Sequence, residues 1–271
     1  MNRRNKNPAL RAGLCIIGFF TLVALLAPLL APYDPYALGT PYLKPSAAHL
    51  LGTNDVGQDI FSELIYGTRV SLAIGVFTSV LVTVVSACLA LLSGYYGGVT
   101  DKVITALTNL TMGLPSLALT VLLVAYLNPG KSSVMIAIAV TAWTGTTRIL
   151  RTRVIQLCRM PFFKIEKAMG VRGAVIMGKH LVPNLKDLLL TRAALAVSSA
   201  MMTETGLSFL GLGEYGEKSW GSILHYAFYR NGVIRGQVWW YLPPILCTTL
   251  TVLGFMLIGY YGAQKRRRHN A

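Results

Sequence analysis

Long runs of apolar residues, separated by shorter polar segments, dominate the chain. An α-helix rises about 1.5 Å per residue, so about 20 consecutive apolar residues are needed to cross the hydrocarbon core of a bilayer. Six runs reach or approach that length and predict an all-α integral membrane protein with six transmembrane helices. The predicted spans are residues 12–31, 72–92, 104–126, 134–150, 188–212 and 241–263.

The ends of these runs add detail. The first run predicts an uncleaved anchor, because a signal peptide has an apolar core of only about 7–15 residues; the stretch LAPLLAP keeps a cleaved signal open as the alternative. Residues 32–69 contain four prolines and predict an irregular loop. Pro115 is expected to kink the third span, and Arg148 is expected to end the fourth at the interface.

The fifth run contains one acidic residue, Glu204. An ionisable group inside a membrane span is costly and usually faces a partner or water. Two interpretations stay open at this point. Either Glu204 lines a pathway across the membrane, or the helix ends near Glu204 and residues 207–212 form a re-entrant or interfacial stretch that leaves the carboxylate at the rim.

Composition and charge fit this membrane class. Hydrophobic residues make up 54% of the chain and charged residues only 13%, about half the share expected of a soluble domain. Such hydrophobicity excludes disorder, and the scattering of basic clusters between apolar runs argues against nucleic-acid binding. Nineteen of the 25 Lys and Arg residues fall in residues 1–11, 93–103, 148–192 and 264–271. The positive-inside rule then predicts that both termini are cytoplasmic.

Two kinds of site are disfavoured by the residues themselves. The segment from Gly173 to Lys179 fits G-x-x-x-x-G-K, but His180 follows where a phosphate loop needs Ser or Thr to hold magnesium. Any ATP is therefore expected to bind another chain. The four histidines, His49, His180, His225 and His269, lie outside the predicted spans, so no metal cluster is expected within them.

The basic segment at residues 148–192 contains a more informative pattern. Lys164-Ile-Glu-Lys-Ala-Met-Gly170 is followed by a proline thirteen residues after the glycine. This spacing resembles the EAA loop of ABC importer permeases, in which a helix, a turn and a second helix form an ATPase-coupling element. The residues that match this loop, or that stand in it, are Lys164, Glu166, Ala168, Gly170, His180 and Pro183. The sequence departs from the family where Lys164 replaces the glutamate, because the acidic residue lies two positions later.

Other stretches narrow the resemblance to the dipeptide, oligopeptide and nickel permeases, of the second (C-type) subunit. They are Leu30 to Pro35, His49 to Ser62, Gly94 to Gly98 with Asp101, and Glu204 to Gly213 with Ser219-Trp-Gly221. The resemblance implies the type I (MetI-like) ABC importer permease fold. It divides the chain into residues 1–69, with the tail, first span and external loop, and a five-helix core at residues 70–271 with the coupling loop at 148–192.

The resemblance also implies a function. The chain is expected to be a non-catalytic inner-membrane subunit of an ATP-driven importer for small peptides, nickel or metal chelates. Its expected partners are the lipid bilayer, a second related permease, one or two cytoplasmic ATPases that use ATP and Mg, and an external solute-binding protein; the chain itself is expected to bind no cofactor. The alternative is an ATP-independent secondary transporter or channel.

Overall fold

The computed structural model describes residues 8–267, with side chains described through residue 262. Within that part of the chain the only β contact is an isolated bridge between Thr53 and Asp59, so the all-α prediction is confirmed. Residues 1–7 and 268–271, which are parts of the predicted cytoplasmic tails at 1–11 and 264–271, lie outside the described residues. The helices are α1 (Pro8–Leu25), α2 (Ala27–Leu30), α3 (Ile60–Tyr96), α4 (Gly98–Met112), α5 (Ser116–Leu127), α6 (Lys131–Cys158), α7 (Pro161–Ala168), α8 (Gly173–Val175), a π-helix (Ile176–Leu181), α9 (Val182–Phe209), α10 (Trp220–Tyr229) and α11 (Val238–Arg267).

Four of the described helices, α1, α3, α6 and α11, are long and apolar enough to cross a membrane. The pair α4 and α5 adds a fifth span if the two helices are counted together. The predicted fifth span corresponds to α9, which has 28 residues but lies outside this group. Its mean hydropathy is lowered by four charged side chains, Lys186, Asp187, Arg192 and Glu204. The count of six spans therefore stays a prediction.

The helix α3 begins twelve residues earlier than the second predicted span. Asp59 caps it by accepting a hydrogen bond from the Ser62 amide at 2.8 Å, which satisfies a free N–H of the first turn. The first turns include the buried polar residues Ser62, Glu63 and Thr68, which interrupt the apolar pattern, so the pattern did not indicate these turns. The prediction of an irregular loop through residue 69 is wrong for residues 60–69. The expected domain boundary at 69/70 consequently falls inside a continuous helix.

Two further predictions about helix ends need correction. The helix α6 continues to Cys158, ten residues beyond Arg148, so the helix extends past the predicted end of the span; Arg151, on the next turn, pairs with Asp101. The third span is a broken helix rather than a kinked one, since α4 and α5 meet at an angle of 91°. Pro115 lacks an amide hydrogen and disfavours helical backbone at the residue before it. The helix therefore ends at Met112 and restarts at Ser116.

Close helix packing in the bundle depends on small residues. A Cβ atom added to Gly13 would lie 2.8 Å from the carbonyl oxygen of Gly254, so α1 and α11 approach closely only because glycines face each other. A Cβ atom at Gly75 would likewise collide with Met201, where α3 packs on α9. Large apolar side chains such as Phe19, Phe77 and Leu122 point outward. This outward apolar surface is what a bilayer covers and water would not.

A buried ion pair fastens one end of α3 to the segment before α10. The Lys218 Nζ atom lies 2.6 Å from a Glu63 carboxylate oxygen and 2.6 Å from the Gln58 side-chain oxygen. The Asn54 amide donates to the same Glu63 oxygen at 2.9 Å. All four side chains are buried. Because buried charges are stable only when paired and hydrogen-bonded, this cluster fixes the loop before α3 against the segment before α10.

Replacing Lys218 by Met should destabilise the protein strongly, because it leaves the Glu63 carboxylate buried without its cation. Removing one partner of a buried pair costs about 3–5 kcal/mol. The double variant Glu63→Gln with Lys218→Met should recover much of that loss, since no charge then stays buried. Thermal unfolding of the detergent-solubilised protein measures both. Lys44→Met, at an exposed lysine, is the control, and a Lys218→Met midpoint equal to that control would contradict the prediction.

Candidate functional site

The segment that matches the EAA pattern forms a short helix, α7, with two different faces. Pro161 begins the helix at its first position, where the missing amide hydrogen costs nothing. Phe163 is buried in an apolar cluster with Val154 and Leu157 of α6 and Leu185 of α9. Three other apolar side chains of this segment are exposed: Phe162 by 55%, Ile165 by 58% and Met169 by 76%. The spacing of these three residues places them on one side of the helix, and we call them the α7 stripe.

The turn after α7 requires glycine at position 170. Gly170 has a φ of +75°, in the left-handed region that residues with a side chain rarely adopt. Its amide donates to the Lys167 carbonyl at 3.2 Å, and the Val171 amide donates to the Glu166 carbonyl at 3.2 Å. This pair of bonds is the Schellman motif, which ends a helix and reverses the chain. No atom lies within 4 Å of the position that a Cβ would take, so the requirement is conformational rather than steric.

The acidic residue of the segment points inward. A Glu166 carboxylate oxygen lies 3.2 Å from the His180 Nε2 atom, and the Glu166 side chain is only 13% exposed. The Phe162 ring packs edge-on against the His180 ring. Lys164 and Ala168 are exposed instead. Glu166 and His180 therefore hold α7 against the next helix, whereas Lys164 and Ala168 lie on the accessible surface.

Pro183 lies within a continuous helical segment and not at the start of a separate helix. The backbone is helical without a break from Gly173 through the π-helix into α9, and Pro183 lies in the first turn of α9. Proline inside a helix clashes with the carbonyl four residues earlier, and the wider π-helix lies immediately before it. The Asn184 side chain donates to the His180 carbonyl at 2.7 Å. The P-loop-like stretch from Gly173 to Lys179 is thus helical, which agrees with its rejection as a phosphate loop.

Sequence reasoning missed the residues that connect α7 to the other helices. Tyr95, at the end of α3, has the Lys167 Nζ atom 5.6 Å from its ring centre. A Cβ at Gly173 would lie 2.8 Å from the same ring, so the chain packs tightly on it. Asp101 of α4 pairs with Arg151 of α6 through bonds of 2.5 and 2.6 Å. The resemblance had singled out Gly94 to Gly98 with Asp101, but the sequence did not indicate these contacts.

Glu204 lies at the opposite end of the bundle from α7. Its side chain is fully buried, and it accepts a hydrogen bond from the Ser208 hydroxyl at 2.8 Å. The helix α9 continues to Phe209, five residues further, so the helix does not end at Glu204. It lines a small cavity with Val70 of α3 and Lys131 of α6. No group of three or more metal-ligating side chains occurs in the described part of the chain.

The fold is that of an ABC transporter permease. One chain in a crystal structure of inward-facing conformations of the MetNI methionine ABC transporter superposes with a TM-score of 0.58, covering 77% of this chain and 96% of that one at 16% identity. Residues 86–268 match the model of the binding-protein-dependent transport system inner membrane component, and residues 3–50 match the N-terminal TM domain of oligopeptide transport permease C. The chain belongs to this family of inner-membrane transport components.

Individual transport proteins with similar sequences support the same family assignment. The dipeptide transport system permease protein DppC of Bacillus subtilis is 31% identical over 95% of this chain and 81% of its own length. The DppC protein of Alkalihalophilus pseudofirmus is 34% identical over 94% of this chain and 84% of its own. The glutathione transport system permease protein GsiD of Pectobacterium atrosepticum is 31% identical over 93% and 83%.

Replacing Gly170 by Val should open the turn after α7. A left-handed backbone costs a residue with a side chain about 1–2 kcal/mol, and β-branched residues tolerate it least. Amide hydrogen exchange in the peptide covering residues 161–172 should therefore become about 5–30 times faster. In Gly170→Asn the exchange rate of this peptide should stay close to that of the wild type, because Asn tolerates a left-handed backbone. Equal exchange in the Val and Asn variants would show that the turn does not depend on φ.

Proposed function

We propose that the chain is a permease subunit of an ATP-driven importer that carries dipeptides or oligopeptides across the cytoplasmic membrane. The observation that carries this proposal is the α7 stripe, an exposed apolar face on a short helix that a glycine turn and the Glu166–His180 pair hold in place. Membership of the family of binding-protein-dependent membrane components disfavours an ATP-independent transporter or channel. The named relatives transport dipeptides, oligopeptides or glutathione, which favours peptides over nickel.

The α7 stripe is the proposed docking surface for a cytoplasmic ATPase. A helix that presents apolar residues to a hydrophobic groove is a common mode of recognition. The buried face of α7 contacts α6 and α9 through Phe163, and Lys167 contacts the end of α3 through Tyr95. Movement of α7 would therefore be transmitted to three long helices. Such coupling requires two states of the importer that contact the ATPase differently.

The remaining partners follow from the same proposal. The ATPases use ATP and Mg, this chain binds no cofactor, and ATP hydrolysis is not its own activity. A second, related permease completes the pathway, and an external binding protein delivers the solute. The α7 segment lies among ten basic residues at positions 148–192. The positive-inside rule supports a cytoplasmic position for α7, and with the six predicted spans we propose that both termini are cytoplasmic as well.

Replacing Ile165 by Asp should abolish association with the ATPase, because it puts a charge at the centre of the α7 stripe. The tagged chain is purified gently from membranes and the co-purifying subunits are quantified. We expect at least tenfold less ATPase with Ile165→Asp, and unchanged recovery of the second permease. Ala174→Asp adds the same charge at an exposed position beyond the turn and is the matched control.

Two results would contradict this role of α7. Equal ATPase recovery with Ile165→Asp and Ala174→Asp would mean that the stripe is not the docking surface. Recovery of the wild-type chain alone, stable and monodisperse, would remove the importer proposal itself and favour an independent transporter or channel.

We also propose that Glu204 contributes to the pathway, because its carboxylate lines a cavity between α3 and α6. Glu204→Gln keeps the size of the side chain and its hydrogen bond to Ser208 but removes the charge. ATP-dependent uptake should fall several-fold, while assembly with the partner subunits stays unchanged. Asp34→Asn, at an exposed carboxylate, is the control. Unchanged uptake by Glu204→Gln would assign Glu204 a structural role only.

A further inference from the structure

A second cavity lies between α3, α6 and α9, closer to α7 than the cavity at Glu204. It has a volume of about 130 Å³. Val82 of α3 and Ile138 of α6 form its buried floor, and Thr146 and Ser199 add hydroxyl groups. Arg192 of α9 also lines it and is its single charged side chain. A cationic group therefore faces an otherwise apolar and hydroxylated space inside the bundle.

Arg192 differs from the other arginine within the bundle at this end. Arg151 is neutralised by two hydrogen bonds to Asp101. The Arg192 Nε atom, in contrast, is buried and has no hydrogen-bond partner among the residues that the structure describes. A buried donor without a partner costs about 1–3 kcal/mol, and more when it is charged. Such an unpartnered buried donor calls for an explanation, and a ligand that accepts a hydrogen bond from it is one.

Residues of α9 line both cavities. Arg192, Ala196 and Ala200 are spaced by four residues and stay within about 80° of one another around the helix axis, whereas Glu204 is rotated by about 120° from Arg192. Arg192, Ala196 and Ala200 line the second cavity, and Glu204 and Ser208 line the first. At 1.5 Å per residue, Arg192 and Glu204 are about 18 Å apart along the helix axis. The helix α9 thus presents a basic residue to the second cavity and an acidic residue to the first.

The size of the second cavity limits what can enter it. A cavity needs about 10–15 Å³ to hold one water molecule, so 130 Å³ accommodates one small polar group with a few waters. Sites for whole small molecules measure about 300–1,000 Å³. The guanidinium group matches a carboxylate or phosphate in shape and charge through paired N–H donors. The cavity therefore suits one anionic end of a larger molecule.

We propose that Arg192, in the cavity between α3, α6 and α9, binds the carboxylate of the transported solute as the solute passes the subunit. This inference rests on the proposed function, and it specifies the solute class as molecules with a free carboxylate. A phosphate group of a membrane lipid has similar chemistry, so the experiment separates the two sources.

The test uses the complete importer, reconstituted in vesicles with its partner subunits, and compares dialanine with dialanine amide. Arg192→Gln should lower ATP-dependent uptake of dialanine at least tenfold relative to uptake of the amide. Arg192→Lys, which keeps the charge but not the paired donors, should lie between Arg192→Gln and the wild type. Lys186→Gln, at an exposed lysine of the same helix, should match the wild type. Each variant is compared with the wild type for the same solute. A preference of the binding protein for one solute therefore affects both measurements equally.

The other outcomes overturn the proposal. Equal losses for dialanine and its amide, or reduced recovery of the partner subunits with Arg192→Gln, would assign Arg192 to packing or assembly. An effect of Arg192→Gln that appears only in vesicles with phosphatidylglycerol, and not in pure phosphatidylcholine, would assign the site to a lipid phosphate.

A second measurement keeps the site testable if the wild-type complex shows no ATP-dependent peptide uptake, in which case the proposed function fails. The unfolding temperature of the purified complex is then measured with dialanine and with its amide. A larger rise with dialanine in the wild type, absent in Arg192→Gln, supports the carboxylate site. Equal shifts with both compounds would overturn it.

Discussion

The Glu63–Lys218 ion pair is the constraint on which the arrangement of the bundle depends. It fixes the start of α3 to the segment before α10. At the other end of the helix, the Ser93 side chain joins the Arg151–Asp101 pair, which connects α3 with α4 and α6. The helix has 37 residues and is thus about 55 Å long. Because α3 is held at both ends, it is the element that positions α4, α6 and the segment before α10 relative to one another.

The sequence predicted the helices well and their ends less well, for one physical reason. Apolar runs report the part of a helix that faces lipid, whereas α3 begins with buried polar residues such as Ser62 and Glu63. The same limitation concealed the continuation of α6 to Cys158, whose added turns include Arg151. Gly170 was identifiable because a left-handed turn imposes a local requirement. The inward orientation of Glu166 was not, because it depends on His180, fourteen residues away in sequence.

Charged groups inside the bundle fall into two kinds. Glu63 and Asp101 each form an ion pair with a cationic side chain within hydrogen-bond distance. These ion pairs hold helices together. Within the described part of the chain, Glu204 accepts from the Ser208 and Thr205 hydroxyl groups, and the Arg192 Nε donor has no partner. The unmatched charges both lie on α9 and both line cavities. This distribution separates the residues that stabilise the protein from those available to a ligand.

The break between α4 and α5 affects how a newly made chain is exposed to the membrane before it assembles. The two helices have 15 and 12 residues, so each measures only about 18–23 Å. Irregular backbone at membrane depth is tolerated only where protein covers it or water reaches it. Leu110, Leu114 and Leu117 are exposed around the break. A newly made copy without a neighbour therefore presents an uncovered defect to the membrane, and we expect surveillance proteases to adjust its abundance to that of the chains that cover the break.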